Sequence, residues 1–195
     1  MTGRTGQDPG IREEAVSPVI GVMLMLSATI IIAATLSAYV GGSTGELKTS
    51  PQVNLMVKSG GEGDDFNILF EHHGGDALRT QDLEIHTWVK DSQGAVIKHV
   101  QDAQSTPSTI NGQEVRVPYI YESQSGINAD NSFGSGIWKT GAVAGTGTRE
   151  ATAQFLGVST TELDELIAKN AVAEIDIVYR PAGNVLYKAD IVLEE

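Results

Sequence analysis

The distribution of apolar and charged positions divides this chain into two unlike parts. Between Glu14 and Glu46 there is no Asp, Glu, Lys, Arg or His, and most positions are Val, Ile, Leu, Met or Ala. The densest stretch, Val19 to Val40, predicts a helix of roughly 33 Å at about 1.5 Å per residue, enough to cross a bilayer core of about 30 Å. Ser17 is placed to cap this helix and Pro18 to open it, because a proline at the first helical position gives up only an N–H that has no partner there. Gly41 and Gly42 are expected to end it. Its few polar side chains, Ser27, Thr29, Thr35, Ser37 and Tyr39, carry hydroxyls, which can bond back to helix carbonyls. The helix is therefore apolar all round, with no polar stripe of the kind a surface helix shows.

After a small-residue hinge, Gly41-Gly42-Ser43-Thr44-Gly45, closed by Pro51, the period changes. Short runs of β-branched and aromatic residues alternate with turn signals: Val53–Lys58, Phe66–Glu71, Leu83–Lys90, Ala95–Val100, Glu114–Tyr121, Ala173–Tyr179 and Val185–Leu193. In the last two, Ile175, Ile177 and Tyr179 alternate with Glu174 and Asp176, while Val185, Tyr187, Ala189 and Ile191 alternate with Lys188 and Asp190. Pro181-Ala182-Gly183-Asn184 and Asp91-Ser92-Gln93-Gly94 read as hairpin turns. Ser159-Thr160-Thr161-Glu162 has the spacing of a capping box, with Leu163, Leu166 and Ile167 behind it, and predicts one short helix near Thr160–Lys169. Residues Ser123 to Thr148, rich in Gly, Ser, Asn and Thr, read as a long surface loop or irregular hairpins. The class expected is α+β: a long N-terminal hydrophobic helix, then a mainly antiparallel, sandwich-like β head with one short helix.

Composition narrows the function. The 195 residues hold 25 acidic and 13 basic side chains, a net charge of −12, which disfavours a nucleic-acid surface. Cysteine is absent, so disulfides, thiolate metal clusters and cysteine catalysis are excluded. No Gly-x-Ser-x-Gly elbow is present, and the glycine-rich stretches at Gly134-Ser135-Gly136 and Gly141 to Gly147 lack the strand–loop–helix order of a phosphate site. His72 and His73, with Glu71 and Asp76 nearby, form the one cluster resembling a metal site, but neighbours on a strand point to opposite faces. His86 and His99 lie on separate predicted strands and could meet across a sheet. No enzyme, cofactor or metal is expected. No Asn lies in an Asn-x-Ser/Thr pattern, so any glycan would be O-linked. Phe133, Trp138, Tyr119 and Tyr121 could form an adhesive aromatic patch, or simply core.

Three fates suit the apolar run: a permanent membrane anchor, a removed secretory signal, or a helix that leaves the membrane to be buried among copies of itself. The flanks bear on the choice. The run is longer than the 7–15 residues, roughly, of a secretory signal, and Glu13 and Glu14 stand directly against it where basic residues would be usual. Arg12-Glu13-Glu14-Ala15 followed by Val16-Ser17-Pro18-Val19-Ile20-Gly21-Val22-Met23-Leu24-Met25 resembles the N-terminus of archaeal type IV pilins, in which two charged residues and a small one precede an SPVIGV-type helix. A second, shorter likeness is the run from Phe66 to Asp76, similar to a His-x-Gly-Gly-Asp segment early in such heads.

The resemblance implies a leader, residues 1–15, removed by a prepilin peptidase between Ala15 and Val16 with Glu13 and Glu14 as recognition. It also implies a membrane and filament-core helix over 16–42, a hinge over 43–51 and a β-rich head over 52–195. Val19, Ile20, Val22, Leu24, Leu26, Ile30, Ile31 and Leu36 would form the filament core. The implied partners are copies of the chain in a helical homopolymer, the peptidase, an assembly ATPase and a membrane platform protein. The precursor would sit in the cytoplasmic membrane and the product in an extracellular adhesion pilus. Bacterial pilins usually carry a glutamate where this chain has Ile20, so register must come from packing; archaellins do not usually open with SPVIGV. The alternative is a single-span, membrane-anchored extracellular β-domain that binds a ligand or surface protein and never polymerises. A secreted hydrolase cut near Gly42 ranks last for want of a catalytic constellation.

Overall fold

The computed structural model describes residues 18–43, 49–90, 93–121 and 126–195. The chain divides into two compact units, Met1–Leu47 and Lys48–Glu195. The first contains helix α1 (Pro18–Ser43). The second, the head, runs in order β1 (Val53–Gly60), β2 (Asn67–Gly75), β3 (Leu78–Arg79), β4 (Leu83–Lys90), β5 (Val96–Gln101), β6 (Ser108–Ile110), β7 (Gln113–Val115), β8 (Tyr119–Ile120), β9 (Ile137–Trp138), β10 (Val143–Gly145), α2 (Arg149–Leu156), α3 (Thr160–Ala168), β11 (Val172–Tyr179) and β12 (Asn184–Val192).

The strands form two four-stranded antiparallel sheets, ordered β1-β2-β10-β8 and β12-β11-β4-β5, with two small ribbons, β3-β9 and β6-β7. Alternation along β2 and β4 sends Ile68, Phe70 and His72 and Leu83, Ile85, Thr87 and Val89 into one shared core. At one side the sheets meet edge to edge without a ladder. There the Val57 N–H donates to Tyr187 Oη at 3.1 Å, Ser59 Oγ donates to the Val192 carbonyl at 2.6 Å, and the Glu194 N–H returns to Ser59 Oγ at 3.3 Å. Side chains thereby satisfy edge groups that an open sheet would leave to solvent. Helix α2 packs against β2, β4, β5 and β6 and drives Phe155 into the core, where it meets Phe70 edge-on with ring centroids 5.8 Å apart.

Several expectations change. The helix near residue 160 is α3, with Ser159 and Glu162 in a reciprocal capping box, but α2 precedes it and makes two short helices instead of one. Thr148 caps α2, its hydroxyl accepting from the Ala151 N–H, and Gly157 closes it in the left-handed conformation (φ 74°). Gly41 and Gly42 do not end α1; both lie inside it, and it runs to Ser43. The expected strand Glu114–Tyr121 is broken into β7 and β8 by Val117-Pro118, a cis peptide. The phase expected for β12 holds at Ile191, which is buried, and fails at Val185, which is exposed. A bulge pairs Ile177 with Tyr187 but Val178 with Val185, so Leu186 is the extra residue and the faces exchange there.

The largest correction concerns Ser123–Thr148. Within its described part lies β10, seated between β2 and β8 inside the first sheet, and Phe133, Trp138, Ala144 and Thr146 are buried. Gly145 is what allows it: a Cβ there would run into the Tyr121 ring, which lies across this glycine toward Leu69.

The Phe66–Asp76 run also acquires a structural account. Asp76 Oδ2 accepts from the Gln52 N–H at 2.9 Å, and the Asp76 N–H donates to the Gln52 carbonyl at 2.9 Å, clipping the first residues of the head to the end of β2. Gly75 stands beside this clip at φ 103°, and a Cβ on it would strike the Gln52 carbonyl oxygen. Gly75→Ala is accordingly expected to destabilise the head by roughly 2 kcal/mol or more. A fall in its thermal midpoint of about 4–8 °C follows for a domain of this size, and an unchanged melting curve would refute the account.

Candidate functional site

Helix α1 carries its apolar residues on every side. Over Pro18–Tyr39, 22 residues of mean hydropathy 2.5, every position is exposed. Val19, Ile20, Val22, Leu24, Leu26, Ile30, Ile31 and Leu36 are all between 51% and 68% exposed. Three of the polar exceptions bond inside the helix. Ser27 Oγ donates to the Met23 carbonyl at 2.8 Å, Thr29 Oγ1 to that of Met25 at 2.6 Å and Thr35 Oγ1 to that of Ile32 at 2.9 Å. These three hydroxyls are satisfied without water, so the outer surface of this segment offers a neighbour mostly hydrocarbon. Leaving one large aliphatic side chain in water rather than covering it costs about 1.5–3 kcal/mol, and eight such side chains make an uncovered state untenable. The helix is long and apolar enough to cross a membrane, and either lipid or other apolar helices can meet its demand. Glu13, Glu14, Ala15, Val16 and the expected cap Ser17 lie outside the described residues.

In the head, the structure separates residues that a chemical site would have to unite. His72 is buried against Trp138 on the inner face of β2, while His73 is exposed and lies 2.9 Å from Glu71 Oε2. His72 Nε2 is 2.9 Å from the Asp76 carbonyl, so it carries the ring proton and donates, leaving Nδ1 buried without a partner. Glu71 is held below the ordinary carboxylate range first by its hydrogen bond from Lys58 and then by that from His73. His86 and His99 do not meet. His86 pairs with Val100 on the outer face of the second sheet, and His99 pairs with Thr87 on the inner face, beneath Gly157. Among the described residues no group of three His, Cys, Asp or Glu side chains could hold a metal ion.

Of the four aromatics that could form either a patch or core, two are core. Phe133 and Trp138 are core, the Trp138 indole donating to the Ala142 carbonyl at 3.1 Å. Tyr119 and Tyr121 remain at the surface, edge to face with centroids 4.9 Å apart, and burial chiefly, with Tyr119 beside it, pushes the Tyr121 hydroxyl above its ordinary range. Sequence reasoning also missed Arg149. From α2 this side chain reaches Asp164 on α3 at 2.6 Å, Glu195 at 2.8 Å and the Gly63 carbonyl at 2.9 Å, fastening the C-terminus to the head. No spacing of charges along the chain announces a contact across 46 positions; the signal available was only the capping threonine before it.

These features define a class: an apolar helix long enough to span a membrane, continuous in sequence with a β head built on two four-stranded antiparallel sheets. Residues 14–55, the helix and the first strand residues, match the N-terminal region of the archaeal type IV pilin family. The chain is also 32% identical over 85 residues to an uncharacterized protein of Archaeoglobus fulgidus. That similarity covers 43% of this chain and 59% of the relative. The N-terminal region is thus pilin-like.

Proposed function

We propose that this chain is a structural pilin subunit. Its precursor is held in the cytoplasmic membrane by α1, a prepilin peptidase that recognises Glu13 and Glu14 removes residues 1–15, and the mature chain polymerises into an extracellular pilus used for adhesion. The observation that carries this reading is the match of residues 14–55 to archaeal type IV pilins over a helix long and apolar enough to cross a membrane. The mechanism is an exchange of surroundings. Lipid covers Val19, Ile20, Val22, Leu24, Leu26, Ile30, Ile31 and Leu36 before assembly, and the same side chains of neighbouring copies cover them afterwards, so water never meets the apolar surface. An assembly ATPase and a membrane platform protein supply the work of extraction. The acidic head stays outside, where its charge of the same sign on every copy keeps filaments apart.

N-terminal sequencing of the protein sheared from cells, with negative-stain microscopy of the same fraction, tests both steps at once. A start at Val16 in thin filaments is expected. A chain that keeps Met1, stays with the membrane and forms no filaments would replace this reading with the anchored β-domain.

A further inference from the structure

The outward face of the second sheet carries a groove to which the pilin reading gives no role. The strand register sets Lys98, Trp88, Glu174 and Asp190 in one row across β5, β4, β11 and β12, and Val100, His86, Asp176 and Lys188 in the next. On the opposite side of the indole, Lys90, Val96 and Val172 join Trp88, Glu174 and Asp190 around an open groove of about 660 Å³. That size lies within the range, about 300–1,000 Å³, of small-molecule sites.

Trp88 is only partly buried, so part of its indole is open to solvent on this face. Lys188 approaches its ring to 5.7 Å and is itself pinned by Glu174 and by Asp176 at 3.2 Å. Lys98 stands 5.2 Å from the ring centroid, and no carboxylate pairs with it among the described residues. Its contact with the indole is a single exposed cation–π pair, of a strength that a ligand can displace.

Two features restrict what fits. The groove lies on the face of the sheet, while main-chain N–H and C=O groups lie in its plane, so an extended peptide cannot add there as a strand and recognition must pass through side chains. Lys90, Lys98 and Lys188 balance Glu174, Asp176 and Asp190, three against three, in a chain whose net charge is −12. This face is neutral on an acidic protein: an anion is repelled by the whole molecule, and a cation gains little where Glu174 and Asp176 are already paired with Lys188. An aromatic wall, two exposed valines and a mixed set of donors and acceptors suit a ligand that has apolar C–H faces and many hydroxyls but no charge.

We propose that this groove binds a neutral oligosaccharide, with Trp88 as the stacking wall and Lys90, Glu174 and Asp190 hydrogen-bonded to hydroxyls. It names what an adhesive filament would hold, and in that respect rests on the pilin reading; the groove itself is complete within one head. The test is calorimetric titration of the full-length chain in detergent micelles with maltohexaose, cellohexaose and mannohexaose, and with polygalacturonate as an anionic comparison. At least one neutral hexamer is expected to bind saturably and polygalacturonate not to bind. Trp88→Ala should weaken binding by about tenfold or more, the equivalent of one lost stacking contact. Asp190→Asn should also weaken it while melting as the wild type does, so the test survives if the alanine variant does not fold; Lys139→Ala should bind unchanged. Failure of all three neutral sugars, wild-type affinity in both groove variants, or preference for the anionic polymer would overturn the proposal. The micelle-held chain needs neither cleavage nor assembly, so that failure would leave the pilin reading standing, and missing filaments would leave the groove standing.

Discussion

Cells carrying Ile31→Glu are expected to make no filaments. Position 31 lies near the middle of the 22-residue apolar stretch and is 63% exposed, so its side chain must meet whatever covers the helix. In the membrane a charged residue at the helix centre costs about 2.5–3.5 kcal/mol on insertion scales, which one span of this hydropathy can absorb. In a filament the same carboxylate would be buried among aliphatic side chains on every copy, without a basic residue anywhere in the helix to pair with it. The penalty repeats at each subunit, and assembly is where it is felt. Negative-stain counts of sheared filaments should fall to background while the chain remains detectable in membranes, and Ile31→Leu should assemble normally. Wild-type filament yield from the glutamate variant would remove the idea that this helix forms the filament core.

The second large effect is expected at Phe155. Its ring is fully buried, meets Phe70 at 5.8 Å and is delivered by α2, the helix that packs against strands of both large sheets. Phe155→Ala removes a core aromatic and leaves a cavity that the two flanking sheets cannot close without breaking their ladders, a loss of about 3–5 kcal/mol. Against a total stability of roughly 5–15 kcal/mol for a domain, this is about a fifth or more of what holds the head folded. The thermal midpoint should drop by about 10–15 °C, measured by circular dichroism on the full-length chain in micelles. A drop of under about 3 °C would mean that α2 packs less intimately than described.

Both predictions reflect how unevenly the sequence discloses the molecule. The helix was legible because an uncharged run is unambiguous, and α3 because Ser159 and Glu162 advertise a reciprocal cap. Long strands such as β4 and β11 followed from plain alternation, since each has one face in the core. What stayed hidden was short or composed of small residues. β10 has only Val143, Ala144 and Gly145, and its glycine reads as loop although it is required to seat the Tyr121 ring. α2 spans eight residues with two alanines on its buried side, too little apolar mass to show a period. The exchange of faces in β12 depends on one inserted residue, which no alternation rule can locate beforehand. The groove beside Trp88 was equally invisible, because its lining comes from four strands brought together only by pairing.

A tethered domain also has a mechanical side. Any pull on the head through the segment that precedes it arrives by covalent connection at Ser50, whose Oγ accepts from Asn184 Nδ2 at 2.7 Å, and then at Gln52, where it strains the pair of bonds to Asp76, each 2.9 Å long. Behind them, β1 is held along one edge by the β2 ladder and along the other by Ser59 and the Tyr187 hydroxyl. The strand that takes the load is therefore fastened on both flanks and latched where the load enters, so peeling must begin by opening that latch.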